Sequence, residues 1–458
     1  MNRAQTAAVA LAAAGIMTAA AACSGAPHKP ASQPNAVTAA TLPGTAPGIQ
    51  ARWLLGAIAQ APLPAASITA HFDKEFLAKV PPSALNATFT HVTGLRLTAV
   101  GLSTSEFIVL SVSGAGQPLT ATLGVDAHGL IGSLLLTPAT QQPAPPPPAT
   151  WAAVDRQIRA VAPQTRMLVA RVSGGTCQPI QAIGAATAAP LGSAFKLYVL
   201  DALARAIAAG TVSWDQRLTV TSPLKSLPSG ELGTEPDDTQ VTVRQAAEDM
   251  ISSSDNTAAN LLMALVGRTA VEAAAAGTGM ADPALDTPFL TTRELFVLKL
   301  IDWPSLAGRY LALGSAGRQA MLTGTVDRVP FAALTAVAKA WTAPRDIGSV
   351  EWFASPADIC KAYASLAALA RRPGLAPVAS TLEINDGGLN LDPGQWRDVW
   401  FKGGSEPGVL TLNYLATTRG GQSYVVSVLA ANPAAPIPQA AAVPLLGAIK
   451  AAFGLAAG

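Results

Sequence analysis

The alternation of apolar and polar positions predicts two folded regions. The first, residues 49–138, has helical periodicity at its start and strand periodicity afterwards, which favours a small α+β domain with a curved antiparallel sheet. Its predicted helices cover residues 49–59 and 70–77, and its strand-like runs cover 88–91, 95–102, 106–113, 119–125 and 130–136.

The second region, residues 151–458, predicts a larger α+β domain. Its strand-like runs lie near both ends with helices between them, so we expect one antiparallel sheet built from the two ends and flanked by helices. The predicted elements are a helix over 151–161, strands over 167–172 and 180–183, helices that include 193–209, 243–251 and 257–266, strands over 409–415 and 424–429, and a C-terminal helix.

Proline separates the two regions. Residues 141–148 read Gln-Gln-Pro-Ala-Pro-Pro-Pro-Pro, and consecutive prolines adopt an extended conformation that acts as a semi-rigid spacer. The sequence therefore predicts a linker at 139–150.

The first residues predict export. Arg3 precedes an apolar run over 7–22, and small residues lead directly to Cys23, which is typical of a secretory signal segment. The cysteine resembles that of a bacterial lipobox, although Ala20 stands where leucine is usual. This resemblance implies lipidation of Cys23 and anchoring on the outer side of the cell membrane, and simple cleavage is the alternative. Residues 23–48, rich in proline, alanine and serine, predict a flexible tether.

Composition excludes several classes of function. The chain of 458 residues is 13% charged with a formal net charge of +2, so no basic stripe predicts nucleic-acid binding. After residue 25, no run of roughly 18 apolar residues predicts a spanning helix. Three cysteines are too few for a disulfide scaffold. In an oxidising compartment Cys177 and Cys360 either form a disulfide or remain two buried thiols.

The histidines limit the chemistry of the large domain. All four (His28, His71, His91 and His128) precede residue 150, which excludes a Ser-His-Asp triad, an H-E-x-x-H zinc site and a Cys-His dyad there. We expect no metal and no cofactor, and a base that is Lys, Glu, Asp or Tyr. His71 and His91 are expected to be structural residues on half-buried strands.

Three short elements carry candidate chemistry. Ser193-Ala194-Phe195-Lys196 opens a predicted helix and places serine and lysine one turn apart on one face. Ser254-Asp255-Asn256 lies between two predicted helices, where the alternative reading is a helix cap. Lys402-Gly403-Gly404-Ser405 precedes a predicted strand, where glycine permits close approach of a ligand. Each element alone has an ordinary structural explanation.

Together, S-x-x-K, S-D-N and K-[T/S]-G form the signature of the penicillin-recognising serine hydrolases. Residues 151–458 resemble that superfamily, class A β-lactamases most closely, in the order and spacing of the elements. The resemblance implies a β-lactamase-like sandwich fold, an acylated nucleophile at Ser193 and a general base at Lys196. It further implies that Ser254 relays a proton to the leaving group and that Lys402 positions Ser254 and meets a substrate carboxylate.

The resemblance also implies a substrate-binding set. Asn256 would hold the substrate amide, the backbone around Gly404 and Ser405 would line the site, and the amides of Ser193 and Ser405 would form the oxyanion hole. Such a site predicts a small acyl substrate: a β-lactam, an ester or a D-amino-acid peptide. The implied activity is that of a weak β-lactamase, an esterase or a peptidase, and a non-catalytic envelope lipoprotein that only binds its ligand is the alternative.

Two features depart from the family pattern. Gly403 stands where the family has threonine, so the hydroxyl that helps to bind the substrate carboxylate is missing. No E-x-x-L-N motif supplies an acid for deacylation. Glu294 is the best placed acid, but Thr291-Thr292-Arg293-Glu294 is a capping box, and Glu272 lies within an alanine-rich helix. We therefore expect acylation without fast turnover of a β-lactam.

The small domain is similar in pattern to the N-terminal module of related actinobacterial lipoproteins and of a hydrolase of clavulanic-acid gene clusters. This resemblance implies an NTF2 or ketosteroid-isomerase-like fold. The ligand of such a domain and the oligomeric state are not predicted by any motif.

Overall fold

The computed structural model of the protein describes residues 42–458, apart from residues 93, 104–106, 115–116, 127–128, 139–147, 228 and 439–440. The predicted signal segment, Cys23, His28, His128 and most of the proline-rich linker lie outside the described residues. Within them, no single helix is both long and apolar enough to cross a membrane, and one helix pair bent by 92° meets those criteria by length and composition only.

Four helices and a four-stranded antiparallel sheet form the N-terminal region, with strand order β1-β2-β3-β4. Its core is one apolar cluster between α1 and the sheet, with Leu54, Ile108 and Leu123 buried. The elements are α1 Ala46–Ile58, α2 Ala65–Thr69, α3 Lys74–Lys79, α4 Pro82–His91, β1 Arg96–Ser103, β2 Phe107–Gly114, β3 Gln117–Val125 and β4 Ile131–Pro138.

Several sequence-based boundaries in this region are wrong. The predicted strand over 88–91 is the end of α4, in which Leu85 and Phe89 are both buried one turn apart; this helical spacing outweighs the strand propensity of the last residues. The predicted helix over 70–77 begins too early: residues 70–73 are not helical, and the Asp73 side chain caps α3, which begins at Lys74. Residues 46–48 of the predicted tether are helical, since α1 begins at Ala46.

The histidine placement is also corrected. His91 ends α4, and His71 follows α2 as a turn residue, so neither lies on a strand. The His71 ring stacks on Trp53 with centroids 3.9 Å apart, and its Nδ1 contacts Gln50 Oε1 at 2.9 Å. These contacts give His71 a structural role.

The C-terminal region is built on a five-stranded antiparallel sheet of order β11-β12-β13-β5-β6. As predicted, its strands come from the two ends of the region. The elements are α5 Trp151–Arg159, β5 Gln164–Ser173, β6 Thr176–Ile183, β7 Ala189–Pro190, α6 Lys196–Ala208, β8 Arg217–Thr219, β9 Gln240–Thr242, α7 Val243–Ser252, α8 Asn256–Val266, α9 Arg268–Gly277, α10 Thr292–Leu300, α11 Ser305–Leu311, α12 Ser315–Met321, α13 Phe331–Val337, β10 Phe353–Ala354, α14 Pro356–Ala370, α15 Ala376–Glu383, β11 Trp396–Glu406, β12 Val409–Thr418, β13 Ser423–Ala431 and α16 Ala442–Ala457.

Both faces of this sheet are covered. Alternate residues of a strand point to opposite faces, and on β5 Met167 and Val169 join a cluster with α5 and α16. Leu168 and Ala170 join the cluster formed by α6, α8 and α14. The result is a layer of terminal helices, the sheet, and a layer of central helices, which is the sandwich arrangement that the resemblance implies.

A disulfide joins the sheet to the layer of central helices. Cys177 on β6 is bonded to Cys360 on α14, 183 residues away. Of the two alternatives that the sequence left open, the structure has the disulfide.

Candidate active site

Ser193 lies in a single 3₁₀ turn, Gly192–Phe195, that runs directly into α6. Lys196 is the first residue of α6 and is fully buried. One turn brings its Nζ to 3.1 Å from Ser193 Oγ. The predicted pair of serine and lysine on one helix face is therefore present, with the serine in a 3₁₀ turn before the α-helix.

Ser254 is held between α7 and α8 in a left-handed backbone conformation, with φ of 58°. Asp255 caps α8 by accepting a hydrogen bond from Ala258 N at 2.7 Å, so the cap interpretation is correct for this residue. The left-handed conformation of Ser254 is costly for a residue other than glycine. Here it places Ser254 Oγ 3.1 Å from Lys196 Nζ and 2.9 Å from Lys402 Nζ.

Lys196 Nζ lies among oxygen atoms. It contacts Ser254 O at 2.5 Å, Asn256 Oδ1 at 2.6 Å, and the hydroxyls of Ser193 and Ser254, each at 3.1 Å. In its neutral form, a lysine amine at this distance can remove a proton from a serine hydroxyl.

The third element precedes strand β12, as predicted, and itself lies in edge strand β11, which the sequence did not predict. Its Lys402 pairs with Asn413 of β12. The strand was missed because its two glycines interrupt the apolar alternation. Lys402 is buried and donates to Ser254 Oγ and, at 2.8 Å, to Gly403 O. Burial lowers the pKa of Lys402 to about 7.

Gly404 brings β11 against the turn that carries Ser193. A Cβ at this position would lie 2.2 Å from Leu191 O and 2.6 Å from Ser193 N, closer than any side chain tolerates. A Cβ on Gly192 would lie 2.9 Å from Ser405 N. The backbone amides of residues 193 and 405, the predicted oxyanion donors, are therefore close neighbours.

A buried charged cluster beside this turn was missed by sequence reasoning. Lys299 Nζ lies 3.2 Å from Glu351 Oε2 and 2.5 Å from Glu406 Oε1, and all three side chains are buried. Burial raises the pKa of Glu406 well above its usual value despite the nearby Lys299. The lysine within the apolar run of α10 was the one signal in the sequence, because a buried charge requires a partner.

The two acids considered for deacylation have structural partners. Glu294 closes the capping box of α10 through Thr291 N and is paired with Arg268 at 2.6 Å. Glu272 accepts from Phe289 N at 2.9 Å. Both side chains are occupied in holding the segment before α10.

A cavity of about 400 Å³ opens onto Ser193, Ser254 and Lys402. Most of its lining is apolar, and Phe107 of the N-terminal region forms part of the wall. Among the described residues no group of three His, Cys, Asp or Glu side chains could hold a metal ion.

The model of the β-lactamase enzyme family matches residues 153–343, which include the first two elements. The large domain belongs to the serine β-lactamase-like superfamily. In this β-lactamase-like domain the third element lies beyond the matched residues. It is placed beside the first two elements by the structure, in which Lys402 contacts Ser254. A second model, described as the N-terminal part of the ORF 12 gene product, matches residues 42–131.

Solved structures of similar proteins include a β-lactamase from Sphaerobacter thermophilus, 22% identical, with a TM-score of 0.47 over 68% of this chain and 98% of that one. A β-lactamase from Chitinophaga pinensis is 14% identical, with a TM-score of 0.46 over 67% and 98%. The protein named PBP-A is 16% identical, with a TM-score of 0.44 over 66% and 96%. No curated protein sequence matches this chain.

Proposed function

We propose that the protein is a serine acyl hydrolase that forms an acyl-enzyme at Ser193 with a small β-lactam, ester or peptide substrate. The observation that carries this proposal is the position of Lys196 Nζ, 3.1 Å from the hydroxyls of both Ser193 and Ser254. In its neutral form, this buried amine is a base for either hydroxyl.

Acylation follows from these contacts. As Ser193 Oγ attacks the acyl carbon, its proton passes to Lys196 Nζ and the carbonyl oxygen becomes an oxyanion. The backbone amides of Ser193 and Ser405 donate to that oxyanion, and each donor of this kind contributes about 3–4 kcal/mol to lowering the barrier.

Departure of the leaving group uses the second serine. Ser254 Oγ contacts Lys196 and Lys402, so the proton taken from Ser193 can pass from Lys196 through Ser254 to the leaving oxygen or nitrogen. The bond from the acyl carbon to that atom breaks, and the alcohol or amine leaves with the proton. Asn256 and the backbone at Gly404 line the substrate side of this path.

Release of the acyl group is slow in this proposal. Glu294 and Glu272 hold the segment before α10 through Arg268, Thr291 N and Phe289 N, and neither carboxylate lines the cavity at Ser193. The acyl-enzyme is therefore expected to accumulate.

The structural roles of Glu294 and Glu272 favour a second function, that of a non-catalytic ligand-binding protein.

We further propose that the protein is exported and held at the outer face of the membrane by lipid on Cys23. Replacement by Cys23→Ser should move the protein from the membrane to the soluble fraction, whereas an unchanged distribution contradicts the anchor.

Intact-mass measurement tests the enzymatic function. The purified protein is incubated with a fluorescent penicillin and with short nitrophenyl esters. An adduct that is absent in Ser193→Ala but present in Ser315→Ala, a change at the exposed start of α12, supports the acyl-enzyme. Absence of both adduct and turnover in the wild type favours the ligand-binding function instead.

A further inference from the structure

The missing threonine of the third element has a steric cause. A Cβ on Gly403 would lie 2.8 Å from Cζ of Phe401. The ring of Phe401 cannot easily move away, because it is stacked on Tyr414 with centroids 4.7 Å apart and a Cβ on Gly387 would also lie 2.7 Å from it. An aromatic ring thus takes the space of a threonine side chain at residue 403.

The neighbours of Gly403 on the same face of the sheet are apolar. Gly403 pairs with Leu412 of β12, and residues two positions away on either strand share that face. Phe401, Leu410, Leu412 and Tyr414 all belong to one buried apolar cluster. Phe107, from the N-terminal region, belongs to the same cluster and lines the same cavity.

The charges around the cavity disfavour an anion. Among the described residues that line it, the ionisable side chains are Lys402, Glu351 and Glu406. Burial lowers the pKa of Lys402 to about 7, which weakens its positive charge at neutral pH. A carboxylate moved from water to an apolar surface needs a full counter-charge or hydrogen bonds to offset its desolvation.

We propose that the substrate of this site is an acyl donor whose leaving group is uncharged and apolar where it lies against Gly403 and Phe401. Donors with a carboxylate at that point, as in penicillins, react slowly. This inference rests on the proposed function and uses its acylation chemistry unchanged.

A matched pair of substrates tests the inference on the wild-type protein. Both 3-acetoxybenzamide and 3-acetoxybenzoate acetylate a serine and release a phenol, and they differ in the charge of the leaving group. The amide is expected to acetylate Ser193 at least about tenfold faster per unit concentration, equivalent to about 1.4 kcal/mol. Equal rates, or a faster benzoate, overturn the inference. A penicillin adduct without acetylation by either compound also overturns the inference, whereas the absence of acetylation and of any penicillin adduct contradicts the proposed function itself.

Two variants and a control test whether the ring of Phe401 causes this preference. Gly403→Thr alone should not raise the benzoate-to-benzamide rate ratio, because the ring of Phe401 remains in place. The double variant Phe401→Ala/Gly403→Thr should raise it at least about tenfold, since a hydroxyl and space replace the ring. Phe453→Ala, which removes a buried ring of α16 outside the cavity lining, should leave the ratio unchanged. A double variant that folds and keeps the wild-type ratio overturns the steric explanation.

Discussion

Glu351 Oε1 accepts a hydrogen bond from the backbone amide of Gly192 at 3.1 Å. Gly192 precedes the proposed nucleophile Ser193, and the other oxygen of Glu351 contacts Lys299. Lys299 in turn contacts Glu406, which follows Ser405 on β11. The buried cluster thus connects the two backbone segments whose amides form the proposed oxyanion hole.

Replacement of Glu351 by leucine should affect both stability and acylation. It removes one partner of a buried ion pair, so the free energy of unfolding should fall by about 3–5 kcal/mol. It also frees the turn at Gly192, and we expect acylation of Ser193 to slow by about 10-fold to 100-fold. Denaturation and single-turnover mass measurements check the two effects.

Asp201→Leu is the matched control for that variant. Asp201 is a buried carboxylate on α6 that forms an ion pair with Arg205 and accepts a hydrogen bond from Ser365. Its loss should destabilise the domain but leave the acylation rate of the remaining folded protein unchanged. Equal slowing in both variants would argue against a specific effect of Glu351.

Gly404→Ala should remove most of the acylation activity. Its Cβ would overlap Leu191 O and Ser193 N, so β11 must move away from the nucleophile. A displacement of about 1 Å costs about 100-fold in rate. Gly420→Ala is the control, because a Cβ there meets Thr418 Oγ1 at an ordinary 3.7 Å. Wild-type acylation in Gly404→Ala would show that the close approach is unimportant.

Removal of the disulfide should destabilise the large domain without changing its chemistry. The bond between Cys177 and Cys360 closes a segment of 183 residues, for which the chain-entropy model gives about 5 kcal/mol. Urea denaturation of Cys177→Ala/Cys360→Ala measures the difference. An unchanged unfolding midpoint would contradict the stabilising role of the bond.

Asp249 makes stability depend on pH. Burial, aided by the charges of Asp255, Glu231 and Glu248, raises its pKa from 3.8 to about 7. Between these values the folded protein holds a proton that the unfolded chain releases, so this group lowers stability as pH rises. Asp249→Asn should match the wild type near pH 4 and exceed it by about 4 kcal/mol at pH 8. A difference that is constant with pH contradicts the assignment.

The sequence predicts the candidate site residues better than the residues that support them. Ser193, Lys196, Ser254 and Lys402 could be named as candidates because each belongs to a short motif, and the fold brings the four side chains together. The cluster that holds Gly192 could not, because Lys299, Glu351 and Glu406 are far apart in the chain and only the fold brings them together.

Fold prediction failed where local propensity and tertiary packing disagree. The strand β11 contains Gly403 and Gly404, which weaken any strand pattern but are required by Phe401 and by the turn at Ser193. Residues 88–91 have strand propensity, yet the buried spacing of Leu85 and Phe89 makes them helical. In both cases the decisive contact is with another element.

The most direct test of the account is the acetylation rate of Ser193 in Lys196→Met, compared with the wild type at the same concentration of 3-acetoxybenzamide. Loss of the general base should slow acetylation by about 1,000-fold while the variant keeps its fold by circular dichroism. A folded variant that is acetylated at the wild-type rate would contradict the proposed role of Lys196 as the base.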